Sequence, residues 1–213
     1  MIKISIIIPI YKVQDYIERS LNSIICQKSD DFEMECILVD RGASVTRNTG
    51  IDIAKGDFIY FVDSDDRLVN GSLKYLLDGL KAQEDSQSID VVMGNMQLCM
   101  DGKPASEKSQ IVILDNLKGD ALYKLLTRDL YHSPCNKLVW CNLLKEHNNF
   151  FEEGIIDENL LWSYFVFLQS RRVLVMPKVI YIYEDISGSV MHTTANRLTQ
   201  MLRKWESKSI SKS

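Results

Sequence analysis

Three carboxylates stand within four positions, at Asp63, Asp65 and Asp66. Like charges this close repel, and each raises its neighbours' pKa unless a cation sits between them. Hard, oxygen-rich clusters of this kind suit Mg²⁺ or Mn²⁺. The cluster follows Phe58 to Val62, five uncharged residues that are aromatic or β-branched. Such a run reads as a strand buried on both faces. Strand stability asks for no carboxylates at its end. In an open α/β sheet the ligand crevice lies outside the carboxyl ends of the strands. The stretch Lys55–Leu68 therefore predicts a metal site at the mouth of a sheet. The alternative is a polar strand-to-helix turn, with Asp65 or Asp66 capping the next helix.

The elements before this stretch would position it. Lys3–Pro9 is a short β-branched strand that Pro9 ends. In residues 15–26, Tyr16, Ile17, Leu21, Ile24 and Ile25 recur at helical spacing. Glu35–Asp40 is a second strand ending on a carboxylate, and residues 44–54 read as a helix. Strand, helix, strand, helix, strand at this pace means parallel βαβ units. Right-handed crossovers then bring Pro9–Tyr11, Asp40 and Asp63–Asp66 to one edge.

Beyond it, Asn70–Gln83 reads as a helix with a leucine stripe, and Ile89–Gly94 and Met96–Met100 as strands. Asp101-Gly102 marks a turn. Ile111–Leu114 is a candidate strand, and Asp120–Thr127 and Trp140–His147 are short helices. Glu158–Ser170 is a helix rich in large apolar residues, which read as core. Val173–Met176 and Val179–Tyr183 are strands around Pro177. Asn196–Trp205 has Leu198, Met201, Leu202 and Trp205 at helical spacing, and a Lys/Ser-rich tail follows.

The 213 residues fit one large domain or a domain with a helical extension. A net charge of −4 provides no global basic field for nucleic acid. Five cysteines, odd in number and never spaced CxxC, argue for a reducing compartment and against a disulfide framework. Ser5 and Pro9 break the first apolar run, with no small-residue cleavage site after it, so no signal peptide is expected. No run approaches the roughly 20 apolar residues of a membrane span. The expected location is cytoplasmic, or peripheral on the inner face of the cell membrane. The basic, amphipathic segment Asn196–Trp205 could supply that contact. The alternative for it is packing on its own domain or on a second subunit in a homodimer.

The N-terminal half resembles the family 2 inverting glycosyltransferases of the GT-A fold. The matching pieces are Ser5–Tyr11, Tyr16–Leu21, Ile37-Leu38-Val39-Asp40, Arg47-Asn48-Thr49-Gly50 and Gly56–Asp66. Looser matches follow at Asn136-Lys137-Leu138, Glu153–Ile156 and Gly188–Met191. The resemblance implies an α/β fold of the GT-A, Rossmann-like type, a mixed, mainly parallel sheet flanked by helices, with a C-terminal helical extension. It divides the chain into a nucleotide-sugar-binding half at 1–100, an acceptor-binding half at 101–191, and a C-terminal helix and tail at 192–213.

The implied chemistry is metal-dependent, inverting transfer of a sugar from a nucleotide diphosphate. The acceptor is a glycan or lipid-linked molecule in surface polysaccharide synthesis, and a UDP-sugar is the favoured donor. By this resemblance Pro9 and Tyr11 border the base, Asp40 accepts a hydrogen bond from it, and Arg47 lies near the nucleotide. Asp63 and Asp65 form the DxD pair that holds Mn²⁺ or Mg²⁺, and Asp66 completes the nucleotide-sugar set. His192 is a candidate further ligand or a plain surface histidine. Arg47 and Tyr11 could equally be a solvated helix residue and a packing aromatic.

Two departures stand out. About 20 residues, the length of a crossover and its strand, are missing between Asp40 and Arg41. Either the chain as read omits them or the protein truly lacks a strand; omission is the expectation, because losing a central strand would expose core. At the usual base position Asn159 replaces an Asp, and an amide cannot accept a proton at neutral pH. The expected base is then Glu158, with Asp157 as a substitute. The competing function is a catalytically silent homologue that still binds nucleotide-sugar. A phospho-receiver domain shares the acidic-pocket architecture, but about 90 residues would be surplus. No well-placed acceptor Asp with a following Lys is present.

Overall fold

The computed structural model describes residues 1–10, 16–98, 110–155 and 157–184. Tyr11, His192, the turn at Asp101-Gly102, the Gly188–Met191 match and the Asn196–Trp205 segment lie outside them. One eight-stranded sheet runs through the described chain, in the order β2 (Phe32–Val39), β1 (Ile2–Pro9), β3 (Phe58–Phe61), β7 (Lys137–Trp140), β5 (Ile89–Leu98), β8 (Arg172–Tyr183), β4 (Arg67–Leu68), with β6 (Val112–Asp115) also paired to β8. Its two longest pairings, β1 (Ile2–Pro9) with β2 (Phe32–Val39) and β5 (Ile89–Leu98) with β8 (Arg172–Tyr183), are parallel. The sheet is mixed and mainly parallel, with helices on it, as the motifs imply.

The first half follows the periodicity closely. α1 (Ile17–Ile25) joins β1 to β2, and α2 (Ala43–Ile53) joins β2 to β3 (Phe58–Phe61). β1 lies between β2 and β3 and is parallel to both. Pro9 pairs with Val39 and Ile7 with Phe61, so all three strands finish along one edge of the sheet. Ile4, Ile6, Ile7 and Ile8 are fully buried because β1 is covered on both faces. α2 is pressed onto that strand at Gly50, where a Cβ would lie 2.5 Å from the Ile7 side chain.

The second half departs from the local pattern. Lys137–Trp140 forms β7, inserted antiparallel between β3 and β5, and is followed directly by α5 (Cys141–Glu146). The four-residue strand begins on a lysine, so the apolar spacing gave no strand signal there. The two strands expected around Pro177 are one, β8, and those expected over 89–100 are one, β5. β5 keeps its pairing with β8 through register shifts between Met93 and Met96. Bulges absorb the ladder bond that Pro177 cannot make. β4 (Arg67–Leu68) and β6 (Val112–Asp115) are short antiparallel partners of β8. α3 (Ser72–Lys81) packs on β5 and β8, and α4 (Asp120–Leu126) on α6 (Glu158–Gln169).

The connection between β2 and α2 is short. Residues 40–42 alone connect β2 to α2, and β2 is an outer strand of the sheet. Leu38 and Cys36 on it are exposed, while Ile4 to Ile8 beside it stay buried. β2 is thus the exposed edge of the sheet, and β1 beside it is buried. The four described cysteines, Cys26, Cys36, Cys135 and Cys141, are free thiols. Among the described residues no helix is long and apolar enough to cross a membrane.

Candidate active site

The acidic cluster forms a tight turn at the end of β3, closed by Asp66 N–H donating to the Asp63 carbonyl at 3.1 Å. Asp63 and Asp65 are half-buried, while Asp66 is 1% exposed. Both Asp66 oxygens are engaged. Oδ2 accepts from the Tyr181 hydroxyl at 2.8 Å, and Oδ1 accepts from the Glu184 N–H at 2.8 Å. The Tyr181 hydroxyl in turn accepts from Asp63 N–H at 3.0 Å. From α1, Arg19 Nη2 donates to the Asp65 carbonyl at 3.1 Å.

Arg47, on α2, ties this turn to the second half of the chain. Its Nη2 donates to Asp63 Oδ1 at 2.7 Å, and its Nη1 to Asn159 Oδ1 at 3.1 Å. A longer contact of 3.5 Å reaches Glu158 Oε1. Glu158 and Asn159 begin α6, so the helix start faces the acidic turn across one guanidinium. The guanidinium also lies 5.1 Å over the Phe151 ring. Phe151 stacks on Trp162 at 4.7 Å, and Phe61 meets both edge-on at 5.4 Å. The neighbouring Asn48 clamps the Phe151 backbone, giving Nδ2 to its carbonyl at 2.9 Å and taking its N–H at 2.7 Å. Two adjacent side chains of one helix therefore hold the loop that leads into α6.

Charge and burial shape the cluster. Burial, and then the Asp63 charge, hold the Asp65 carboxyl above its ordinary range. The same two causes, in the same order, push Asp66 up to about 8. Beneath the turn the buried Cys135 thiol is pushed up by burial and then by Asp63. Arg47 remains protonated, because the Asp63 and Glu158 carboxylates outweigh its burial.

Among the described residues no group of three or more His, Cys, Asp or Glu converges as for a protein-caged ion. The Asp63–Asp65 pair nonetheless fits a hard cation. A half-buried carboxyl raised by a like charge is a place where a cation relieves the repulsion. Mg²⁺ in phosphate-handling sites is usually held by one or two carboxylates, with the substrate's phosphates and water completing the shell.

The structure brings Pro9, Asp40, Asp63, Asp65 and Asp66 to the ends of β1, β2 and β3. Asp40 is exposed, next to Ile10, whose N–H donates to the Val39 carbonyl at 3.2 Å. Arg47 is buried, 3% exposed, and not a solvated helix residue. Glu158 and Asn159 join the cluster through Arg47. Asp157 precedes them, exposed and with φ +61°. Tyr181, Glu184 and Asn48 are residues that spacing did not single out. Tyr181 looks like any inward-facing strand aromatic, and only its hydroxyl's partners reveal it. The Asn136-Lys137-Leu138 match also resolves into structure. Asn136 Nδ2 donates to the Gly94 carbonyl at 2.8 Å, and the buried Lys137 Nζ donates to the Tyr131 carbonyl and Asn136 Oδ1, each at 2.8 Å.

A mixed α/β sheet with an acidic turn beside the ends of three parallel strands has the architecture of the GT-A fold. The family model "Glycosyl transferase family 2" matches residues 39–145, and the chain belongs to that family. The Bacillus subtilis protein "Uncharacterized glycosyltransferase EpsJ" is 25% identical over 225 residues, covering 88% of this chain and 62% of that protein. The Staphylococcus aureus poly(ribitol-phosphate) beta-N-acetylglucosaminyltransferase TarS is 25% identical over 213 residues, covering 86% of this chain and 35% of TarS. The crystal structure of S. aureus TarS 1–349 in complex with UDP-GlcNAc superposes with a TM-score of 0.72 at 23% identity. It covers 90% of this chain and 61% of that one. The chain thus spans between about a third and about two thirds of the length of these relatives. The EpsJ alignment is longer than this 213-residue chain, so that relative carries residues this chain lacks.

Proposed function

We propose that this chain is the donor-binding and catalytic part of an inverting glycosyltransferase. It moves a sugar from a nucleoside diphosphate, a UDP-sugar for preference, to a glycan or lipid-linked acceptor in surface polysaccharide synthesis. One observation carries the reading: Arg47 joins the acidic turn after β3 to the Glu158–Asn159 start of α6. Donor-side and acceptor-side groups are thereby held against each other. The complex of TarS with UDP-GlcNAc supports a nucleotide-sugar donor.

Asp40 follows the end of β2, exposed and placed to accept a hydrogen bond from the base, with Pro9 at the end of the neighbouring β1; Tyr11 is the proposed second border of the base. Asp63 and Asp65 would hold Mn²⁺ or Mg²⁺, which when bound stabilises the negative charge growing on the departing diphosphate. Arg47 pairs with Asp63 and orients it. Glu158 takes the proton of the acceptor hydroxyl as that oxygen attacks the anomeric carbon. The carbon–oxygen bond to the diphosphate breaks with its electron pair leaving on the diphosphate, and attack from the opposite face inverts the centre. His192 is a further candidate ligand. The cytoplasm, with a peripheral place at the inner face of the membrane, is where such a donor and a lipid-linked acceptor meet. The proposed division is 1–100 for the donor half, 101–191 for the acceptor half and 192–213 for the helix and tail.

A second reading rests on Asn159. Its amide oxygen accepts from Arg47 at 3.1 Å, as a carboxylate would, but it cannot act as a base. On that reading the chain binds nucleotide-sugar without turning it over. Release of free UDP from UDP-sugars, with and without Mn²⁺ and with an added glycan acceptor, separates the two. Mn²⁺-dependent release supports transfer; tight UDP binding without release supports the silent homologue.

A further inference from the structure

Two hydrogen bonds meet at the Tyr181 hydroxyl, which accepts from the Asp63 N–H and donates to Asp66 Oδ2. Tyr181 has no exposed surface. It lies near the C-terminal end of β8, opposite Met96 of β5 and Leu68 of β4, and 118 positions from Asp63. A phenol has one proton to give. Giving it to Asp66 leaves the oxygen's lone pair for the Asp63 N–H, so one atom fixes both ends of the four-residue turn. Asp66 Oδ1 is already taken by the Glu184 N–H. The Glu184 carboxylate is pinned by Arg67 at 2.7 Å and Arg19 at 3.6 Å. Arg19 also holds the Asp65 carbonyl. Asp65 therefore sits on a turn clamped on both sides and from below, with its own side chain left half-exposed.

We propose that Tyr181 is a positioning residue for the acidic turn. Its hydroxyl, acting through Asp66 and the Asp63 backbone, sets the direction in which Asp63 and Asp65 present their oxygens to a cation-bound diphosphate. This rests on the nucleotide-sugar reading above. Asp66 is the lever of the device and not a ligand, because both of its oxygens face inward partners. Tyr181, near the end of β8, and Glu184, just beyond it, thus support the turn from behind without touching substrate.

The test uses the full chain and calorimetric titration of UDP with Mn²⁺ and with EDTA. Tyr181→Phe keeps the ring and removes only the hydroxyl. It is expected to raise the half-saturating Mn²⁺ concentration up to about tenfold, the scale of one lost hydrogen bond. Metal-free affinity for UDP stays unchanged, which a merely structural defect would not leave so. Asp66→Asn is expected to move the Mn²⁺ dependence in the same direction, and the double variant to show less than the sum of the two effects. If Tyr181→Phe fails to fold by circular dichroism, Asp66→Asn decides alone. Absence of UDP binding by the wild type, with Mn²⁺ or without, overturns the nucleotide-sugar reading and the Tyr181 role with it; wild-type UDP binding that Mn²⁺ does not strengthen leaves that reading standing and overturns the Tyr181 role. Mn²⁺-dependent wild-type binding, with an unmoved Mn²⁺ requirement in the variants or with additive effects, overturns the Tyr181 role only.

Discussion

Arg47 Nη2 lies 2.7 Å from Asp63 Oδ1, with the arginine side chain 4% exposed and the aspartate 31% exposed. The pair is asymmetric. Arg47 is enclosed and can never shed its charge, while Asp63 keeps one side open to the crevice. Removing a guanidinium from such a place strands its partners, whereas a substrate can still approach the carboxylate.

Loss of Arg47 should therefore be felt as instability before it is felt as chemistry. Arg47→Ala leaves Asp63 without its counter-charge and Glu158 and Asn159 without their donor. Breaking a buried pair from one side costs about 3–5 kcal/mol. Arg47→Lys keeps the charge but cannot reach both sides with a planar fork, so it should recover only part of that loss. Urea titration followed by tryptophan fluorescence measures both.

Asp65→Asn tests the cation. The variant should fold normally, since the Asp65 carboxyl is held above its ordinary range by burial and then by Asp63, and neutralising it relieves that repulsion. The stabilisation that Mn²⁺ and UDP together give the wild type in a thermal-shift assay should disappear. An undiminished shift would show that the ion binds elsewhere.

Glu158 and Asn159 can be separated by substitution. Glu158→Gln should lower the rate of sugar transfer by about 10²–10⁴-fold, the usual contribution of a positioned base, with UDP affinity retained. Asn159→Asp places a carboxylate where the amide now accepts from Arg47. With Glu158 as base, the rate should stay level or fall. A large gain would show that the native residue had cost the site its base.

Stability should depend on pH through the turn. Asp66 is pushed up to about 8 from 3.8, by burial first and then by the Asp63 charge. The folded chain therefore holds a proton that the unfolded chain releases. The stability from this group is fully present below its unfolded pKa of 3.8 and is lost as pH rises through about 8. The melting temperature of metal-free protein should fall across that window, and Asp66→Asn should flatten the curve. Differential scanning fluorimetry in buffers spanning the range decides; a melting temperature that climbs would contradict the assignment.

Gly50 has a packing reason rather than a backbone one. A Cβ there would meet Ile7 Cγ2 at 2.5 Å and its Cδ1 at 2.8 Å. Ile7 sits at the centre of β1 and is fully buried, so it has little room to give. Gly50→Ala should destabilise by about 1–3 kcal/mol, the range for overpacking a filled core. Chemical denaturation of the variant provides the check.

The sequence alone determined the alternation of the first half, the acidic turn at a strand end, and the Arg47-Asn48-Thr49-Gly50 signature. Each is written locally, in hydrophobic period or in adjacent side chains, and periodicity of this kind survives without knowledge of neighbours. Tertiary structure alone decided that Lys137–Trp140 is a central strand, that β8 runs on through Pro177 by way of bulges, and that Asp66 faces inward to Tyr181. It also decided that Arg47 meets Asn159, 112 positions away. Such pairs leave no local trace. A tyrosine that packs and a tyrosine that holds a carboxylate have the same apolar spacing, and which one it is depends on where a distant turn arrives in the folded chain.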